Sequence, residues 1–280
     1  MQTFTLHTHN NELNYDGKAD AKTMISTAEE KGFKTIGVSN HLLVNEALNF
    51  DPQVEPMYFN DFDKVTDVSL RHIEILENLK SKHKIDIKIG FECDFFTSSD
   101  WRKKFEKMIQ KLPVDYLIGS NHFLKNKDES YLCNIYHMKQ KQTLPTPEEM
   151  HEYTTQHFKN IIECIKSGYF TFIAHIDYCT IFNYGTDKRY NDLKYEIVET
   201  LIKTKTPLEL NTSGYDRINT PHPNPWMLEI LAKDNTVPII ISDDAHDPSR
   251  IGKYFQEAEQ LLSNLNYTNR FTLNMLKKKF

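Results

Sequence analysis

The sequence predicts an α/β chain folded as a closed barrel of seven parallel strands with helices outside, resembling the eight-fold TIM-like barrel. Three observations predict it. Short apolar runs with strand patterning alternate with segments whose apolar residues recur every three to four positions, and such alternation implies a parallel sheet. The connections are short apart from three longer loops. Strand after strand also stops at a histidine or a carboxylate, as expected where the C-terminal ends of barrel strands gather a site. An open, doubly wound sheet is the alternative reading of the same alternation.

The first strand is Phe4-Thr5-Leu6, running into His7-Thr8-His9. Residues two apart on a strand share a face, so His7 and His9 project together into one space. After the turn signal Asp16-Gly17, Ala21, Met24, Ile25 and Ala28 trace a helix that Gly32 stops. Residues 35–41 are an apolar strand ending at His41. A loop with Pro52 and Pro56 leads to an amphipathic helix over 60–82, carried by Val65, Val68, Ile73, Leu76 and Leu79. Residues 85–92 alternate as a strand and end at Glu92. A helix over 101–112 and a strand over 114–120 follow, the latter ending at Asn121-His122.

Residues 123–145 carry no period, and a connection that long is often functional. Thr146-Pro147-Glu148-Glu149 is a capping box with proline at the first helical position. Its helix runs to Lys166 and stops at Gly168. The strand 170–174 ends at His175, the helix 190–203 follows, and the strand 207–211 ends at Asn211. A helix carries Leu228, Ile230 and Leu231. The run 237–241 is wholly apolar, as in a strand covered on both faces, and ends at Ser242-Asp243-Asp244-Ala245-His246. Tyr254, Ala258, Leu261 and Leu262 mark the last helix.

A chain of 280 residues with 39% hydrophobic and 26% charged residues suits one or two soluble domains, and a barrel of this length is commonly one. The net charge of −5 gives no nucleic-acid or anionic-membrane surface. The basic stretch Lys277-Lys278-Lys279 reads as a frayed terminus. No apolar run reaches the ~18 residues of a membrane span, and no leader pattern precedes the first strand. The four cysteines, Cys93, Cys133, Cys164 and Cys179, have no C-x-x-C spacing, which points to reduced thiols and a cytoplasmic location. The expected partner is a small molecule. The oligomeric state is not written in the sequence.

In a closed parallel barrel His7, His9, His41, Glu92, His122, His175, Asp244 and His246 converge on one rim. Imidazoles mixed with carboxylates, without thiolate, suit zinc first and then manganese or iron, rather than magnesium or calcium. Eight or nine donors exceed one ion, so two or three divalent ions are expected, with Glu92 as a bridge. Ions ~3.5–4 Å apart clamp the attacking and leaving oxygens of a phosphoester and generate hydroxide near neutral pH. Cys93 faces away from Glu92 and is read as packing. His72, His83, His137, His151 and His157 fall on helices or in the long loop, where solvated or capping roles are expected. His222, in a proline-rich loop, is left open.

These residues resemble the polymerase-and-histidinol-phosphatase (PHP) superfamily, whose pattern is an N-terminal H-x-H, single histidines and one glutamate at later strand ends, and a closing D-x-H. The resemblance implies a distorted seven-stranded barrel holding a trinuclear site. It adds Asp16, before Gly17, as a ninth ligand. It also implies a division in which His7, His9, Glu92 and Asp244 hold one ion, Glu92, His122 and His175 a second, and Asp16, His41 and His246 a third. Asp244, His246 and Glu92 would be central to catalysis. Within the superfamily the chain is most similar to the histidinol-phosphate phosphatases, on the segments Asp115-Tyr116-Leu117-Ile118-Gly119-Ser120-Asn121-His122-Phe123, Ala174-His175-Ile176-Asp177-Tyr178, Glu209-Leu210-Asn211-Thr212-Ser213-Gly214 and Ser242-Asp243-Asp244-Ala245-His246.

Four activities compete: a phosphomonoesterase acting on a small amine-bearing phosphate, L-histidinol phosphate by resemblance; another phosphoesterase of the superfamily, on nucleotides or other small molecules; a metal-dependent amidohydrolase; and a non-catalytic binding barrel. The acidic balance counts against a nuclease. An amidohydrolase would carry a carboxylated lysine where Glu92 stands. A phosphomonoester also calls for planar bidentate donors, which arginine supplies best. Of six arginines, Arg71, Arg102 and Arg270 sit on helices or near the terminus, whereas Arg189, Arg217 and Arg250 follow strand ends. Arg189 and Arg217 match loops that carry arginines in the histidinol phosphatases, and Arg250 stands third. A surface ion pair is the plainer role for each.

Overall fold

In a computed structural model, which describes residues 1–47, 60–125, 131–132 and 145–276, the chain forms a nearly closed barrel of parallel strands wrapped by helices. The strands are β1 (Phe4–Thr5), β2 (Thr35–Val38), β3 (His41–Leu42), β4 (Asp86–Asp94), β5 (Tyr116–Ser120), a small hairpin of β6 (Leu124–Lys125) and β7 (Tyr131–Leu132), β8 (Phe172–Ile173), β9 (Leu208–Asn211) and β10 (Ile239–Ser242). The sheet runs β1–β2–β4–β5–β8–β9–β10 with each neighbouring pair parallel. β3 resumes the line of β2 after Ser39-Asn40 and pairs β4 beyond it, so the barrel has seven staves. Chain order and spatial order coincide, which excludes the doubly wound alternative.

The helices are α1 (Ala21–Glu30), α2 (Phe62–Lys80), α3 (Ser99–Ile109), α4 (Pro147–Ser167), α5 (Asn191–Thr204), α6 (Gly214–Ile218), α7 (Pro225–Asp234) and α8 (Phe255–Asn264). Local chemistry sets their ends. Thr146 and Glu149 cap each other's backbone at the start of α4, and Gly168 ends it at φ 68°. Asp20 accepts from the Thr23 amide to open α1, whose Ala21, Met24, Ile25 and Ala28 are buried against the sheet. The short α6 carries no apolar period of its own and escapes sequence reading. The pair β6–β7 lies inside the segment 123–145 that carries no period in the sequence; residues 126–130 and 133–144, with His137, lie outside the described residues.

Two expectations for helical histidines are corrected. His72 on α2 is fully buried and His157 on α4 nearly so, rather than solvated. Burial lowers both to about 4, so each is a neutral ring within the packing. His157 Nε2 faces the Ile176 carbonyl at 3.2 Å, and His72 Nε2 lies 3.4 Å from Asn40 Nδ2. Each stands on the apolar stripe of its helix. His83 pairs with Glu29, and the exposed His151 meets the Tyr190 hydroxyl.

Leu6, Tyr116, Ile118, Phe172, Ala174 and Ile240 fill the barrel, with Phe271 against them. Tyr116 donates to the Leu6 carbonyl at 2.6 Å across the interior. Its ring lies so close to β4 that a Cβ on Gly90 would stand 2.5 Å from it. Phe271 arrives because the C-terminal segment docks beside β10, the Ile239 amide donating to Asn269 and the Phe271 amide to Ile239.

No continuous ladder joins β10 back to β1 among the described residues. Near the site the two are linked through His9 N–H to Ala245 O (2.9 Å) and Ala245 N–H to His7 O (3.2 Å). At the other end a side chain acts as the missing peptide. Gln2 Nε2 donates to Phe4 O (2.7 Å) and Ile241 O (2.6 Å), and its Oε1 accepts from Ile241 N–H (3.1 Å). Ile241 is fully buried, so truncation strands its amide and carbonyl. Gln2→Ala should therefore destabilise the chain by about 1–3 kcal/mol, read as a lower Tm by calorimetry. An unchanged Tm would mean the seam does not need this carboxamide.

Candidate metal centre

Each stave except β9 delivers a metal-competent side chain to the C-terminal rim, and Asp16 joins from the first loop. Glu92, 1% exposed at the end of β4, sits at the centre. Its Oε2 lies 3.0 Å from His41 Nδ1, 3.3 Å from His7 Nε2 and 3.6 Å from His9 Nε2. Its Oε1 lies 2.8 Å from His175 Nε2 and 3.5 Å from His122 Nε2. One carboxylate thus faces five imidazoles from four staves. Asp244 Oδ1 stands 3.4 Å from both His9 Nε2 and His246 Nδ1 and 3.6 Å from His7 Nε2. Asp16 Oδ2 reaches His246 Nε2 at 3.0 Å and His41 Nε2 at 3.4 Å. Asp244 takes a φ of 48°, the left-handed region that side chains rarely adopt. Backbone strain of this kind collects at functional sites.

The donors fall into sets whose ligand atoms lie within 4.8 Å of one another: His7, His9 and Glu92; Glu92, His122 and His175; and His9, Asp16, His41 and His246. Asp244 joins His7 and His175 in a further set, and Asp94 joins His41 and His122 in another. All nine residues named from the sequence are gathered here. The residues present also fit metal ions on physical grounds. His7 Nε2 and both ring nitrogens of His9 are buried without a hydrogen-bond partner, although buried polar atoms are normally paired. Lone pairs left this way, mixed with carboxylates, suit zinc, manganese or iron.

The electrostatics agree. His9 is lowered to about 3 by burial and by the neighbouring rings of His246 and His41, which leaves it neutral and able to donate a lone pair. Burial alone would raise Glu92, but His122, His7 and His41 hold it well below its usual range. Asp244 and Asp16 are also held down against burial, the first by His7 and His9, the second by His246 and His41. Burial would lower His7 and His41, yet the carboxylates around them raise both. Ionised carboxylates crowded with imidazoles are a place where added positive charge is stabilising.

Sequence reading missed the residues behind the donors. Glu209 Oε1 lies 2.6 Å from His7 Nδ1. Asp94 accepts from the His122 amide at 2.6 Å. Asp177 Oδ1 lies 2.7 Å from His222 Nδ1, which settles the open histidine as a buried partner of that carboxylate. The signal was available, since Glu92 and Asp94 are two apart on β4, as are Glu209 and Asn211 on β9. The three arginines separate. Arg217, exposed in α6, hydrogen-bonds the Tyr178 hydroxyl, and the Tyr178 ring lies 5.1 Å from those of His122 and His175. Arg250 pairs with Asp216 at 3.0 Å. Arg189, 56% exposed, pairs with Asp187 at 2.9 Å. Only Arg217 is tied by a described contact to a residue packed on the donors.

A parallel β/α barrel with a polynuclear donor cluster on its C-terminal rim is the architecture of a metal-dependent hydrolase. Residues 5–213 match the PHP domain, and the chain belongs to that family. A Thermotoga maritima protein named "Probable histidinol-phosphatase" is 23% identical over 94% of this chain and 92% of its own length. A Schizosaccharomyces pombe protein of the same name is 19% identical over 94% and 87%. The solved histidinol phosphate phosphatase of Lactococcus lactis, complexed with zinc, L-histidinol and phosphate, superimposes with a TM-score of 0.69 at 16% identity, covering 99% of this chain and 98% of its own.

Elemental analysis of purified protein should find more than one transition-metal ion per chain. Glu92→Ala should lose more than one, since its two oxygens face different donor sets. Full metal content in that variant would remove Glu92 from the bridging position.

Proposed function

We propose that the chain is a histidinol-phosphatase, hydrolysing L-histidinol phosphate to L-histidinol and phosphate at a site for three divalent ions, zinc foremost. The observation that carries this reading is the convergence of five imidazoles on the buried Glu92 within a PHP barrel. The L-histidinol and phosphate bound by the Lactococcus lactis relative support the substrate. When bound, the ions supply a Lewis-acidic clamp for phosphoryl oxygens and lower the pKa of water.

The chain's residues do the rest. His7, His9, Glu92 and Asp244 would hold one ion, Glu92, His122 and His175 a second, and Asp16, His41 and His246 a third. Asp16, Glu92 and Asp244 enter this work already ionised, and His9 neutral, so no proton need leave them on binding. Arg217, positioned by the Tyr178 hydroxyl, would meet phosphate oxygens beside His122 and His175 with planar donors. Arg189 and Arg250 are already paired with carboxylates and stand behind it as substrate contacts. The described cysteines, Cys93, Cys164 and Cys179, are free and buried, consistent with reduced thiols and a cytoplasmic location. The whole chain would act as one barrel domain on a small molecule.

Steady-state kinetics on a panel of aryl phosphate, nucleotides and histidinol phosphate should give the highest kcat/KM for histidinol phosphate. Preference for nucleotides would assign the chain to another phosphoesterase activity of the family. Arg217→Ala should lower kcat/KM by ~10-fold or more, the loss expected of one charge-assisted contact. Arg189→Ala should cost less, because its guanidinium is engaged with Asp187. His246→Asn should abolish most turnover while leaving Tm near native, since rim residues serve chemistry and the interior carries stability. An active His246→Asn enzyme would exclude that ring from the reaction.

A further inference from the structure

β9 is the stave that sends no side chain to the donor cluster, yet it touches three of the strands that do. Glu209 and Asn211 lie two apart on one face and are fully buried. Glu209 Oε1 lies 2.6 Å from His7 Nδ1, and its Oε2 accepts from the His175 amide and from Asn211 Nδ2, both at 3.0 Å. Asn211 Nδ2 also reaches Asp244 Oδ2 at 3.4 Å. The amide of Asn211 is fixed in turn, because its Oδ1 accepts from Ser213 N–H and its backbone exchanges both hydrogen bonds with His222. β9 therefore holds a ligand from β1, the backbone that carries a ligand from β8, and a ligand from β10.

The consequence for His7 is specific. A carboxylate only accepts, so Nδ1 is the protonated nitrogen and donates to Glu209. In the neutral ring that binds an ion, Nε2 then carries the lone pair, and it is the nitrogen that faces Glu92 and Asp244 without a hydrogen-bond partner. Glu209 belongs to none of the donor sets among the described residues. We propose that Glu209 and Asn211 are positioning residues for the metal cluster: Glu209 fixes the tautomer and direction of the His7 ring, and Asn211 fixes the Asp244 carboxylate, neither touching an ion. This rests on the metal reading given above. It adds a role for the stave that supplies no ligand.

Glu209→Gln tests it. A carboxamide offers one accepting oxygen where three N–H groups now find two, so at least one of the bonds to His7, His175 and Asn211 must go. Zinc affinity is read by competition with a chelating dye, and the His7 tautomer by ¹⁵N-histidine NMR of the same protein. The variant should bind zinc ~10–100-fold more weakly, the usual cost of losing such a partner, and its His7 Nδ1–H signal should shift or vanish. Wild-type zinc affinity with an unchanged tautomer would overturn the proposal. Should Glu209→Gln fail to fold, Asn211→Ser decides. It leaves Glu209 in place, removes the contact to Asp244, and should still weaken zinc binding several-fold; unchanged affinity in folded Asn211→Ser would overturn it. The parent reading fails in a different way, with wild-type protein that takes up no zinc at all.

Discussion

The rim depends on one electrostatic fact: an ionised carboxylate, Glu92, is buried among five imidazoles from four staves. Burying a lone carboxylate is costly, and the group would ordinarily neutralise instead. Here it stays charged because positive or polarisable partners surround both oxygens. The same crowding leaves His7 and His9 with buried nitrogens that have no hydrogen-bond partner among the described residues. The polypeptide thus completes its hydrophobic core and leaves its polar centre short of cationic partners, which is what a metal-binding site is in physical terms.

The interior beneath this centre is built for stiffness. Tyr116 spans the barrel, its hydroxyl on Leu6 and its ring against Gly90, a glycine required by close approach rather than by a turn. Phe271 closes the far end. Ligands whose mutual spacing must hold to roughly half an ångström need such backing, because a site held loosely cannot keep several donors in register. Behind the ligands, Glu209 and Asn211 contact a ring, a backbone amide and a carboxylate of the donor strands.

Much of this was legible in the sequence. The strand ends from His7 to His246 could be read because a parallel barrel places chain-distant strand ends on one rim, so residue type and position suffice. The capping box at Thr146 and the stop at Gly168 were legible because helix ends are set locally. His72 and His157 misled because a polar residue on an apolar stripe looks like an interruption until packing reveals it as part of the core. Glu209 was hidden for a different reason: nothing in a strand's own pattern says whether a carboxylate faces an ion or the back of a histidine. The ranking of the arginines, Arg189 and Arg217 before Arg250, came from loop resemblance alone and could not include the local chemistry around Tyr178, Asp187 and Asp216.

The seam between first and last staves has a temporal consequence. His7 and His9 leave the ribosome well before Asp244 and His246, and the two pairs meet where β1 is stitched to β10 by Gln2, His9 and Ala245. A nascent chain therefore carries a histidine pair throughout the synthesis of the intervening staves without the carboxylate that completes it. Full metal affinity waits on that meeting, as a mark that the first and last staves of the barrel have found each other.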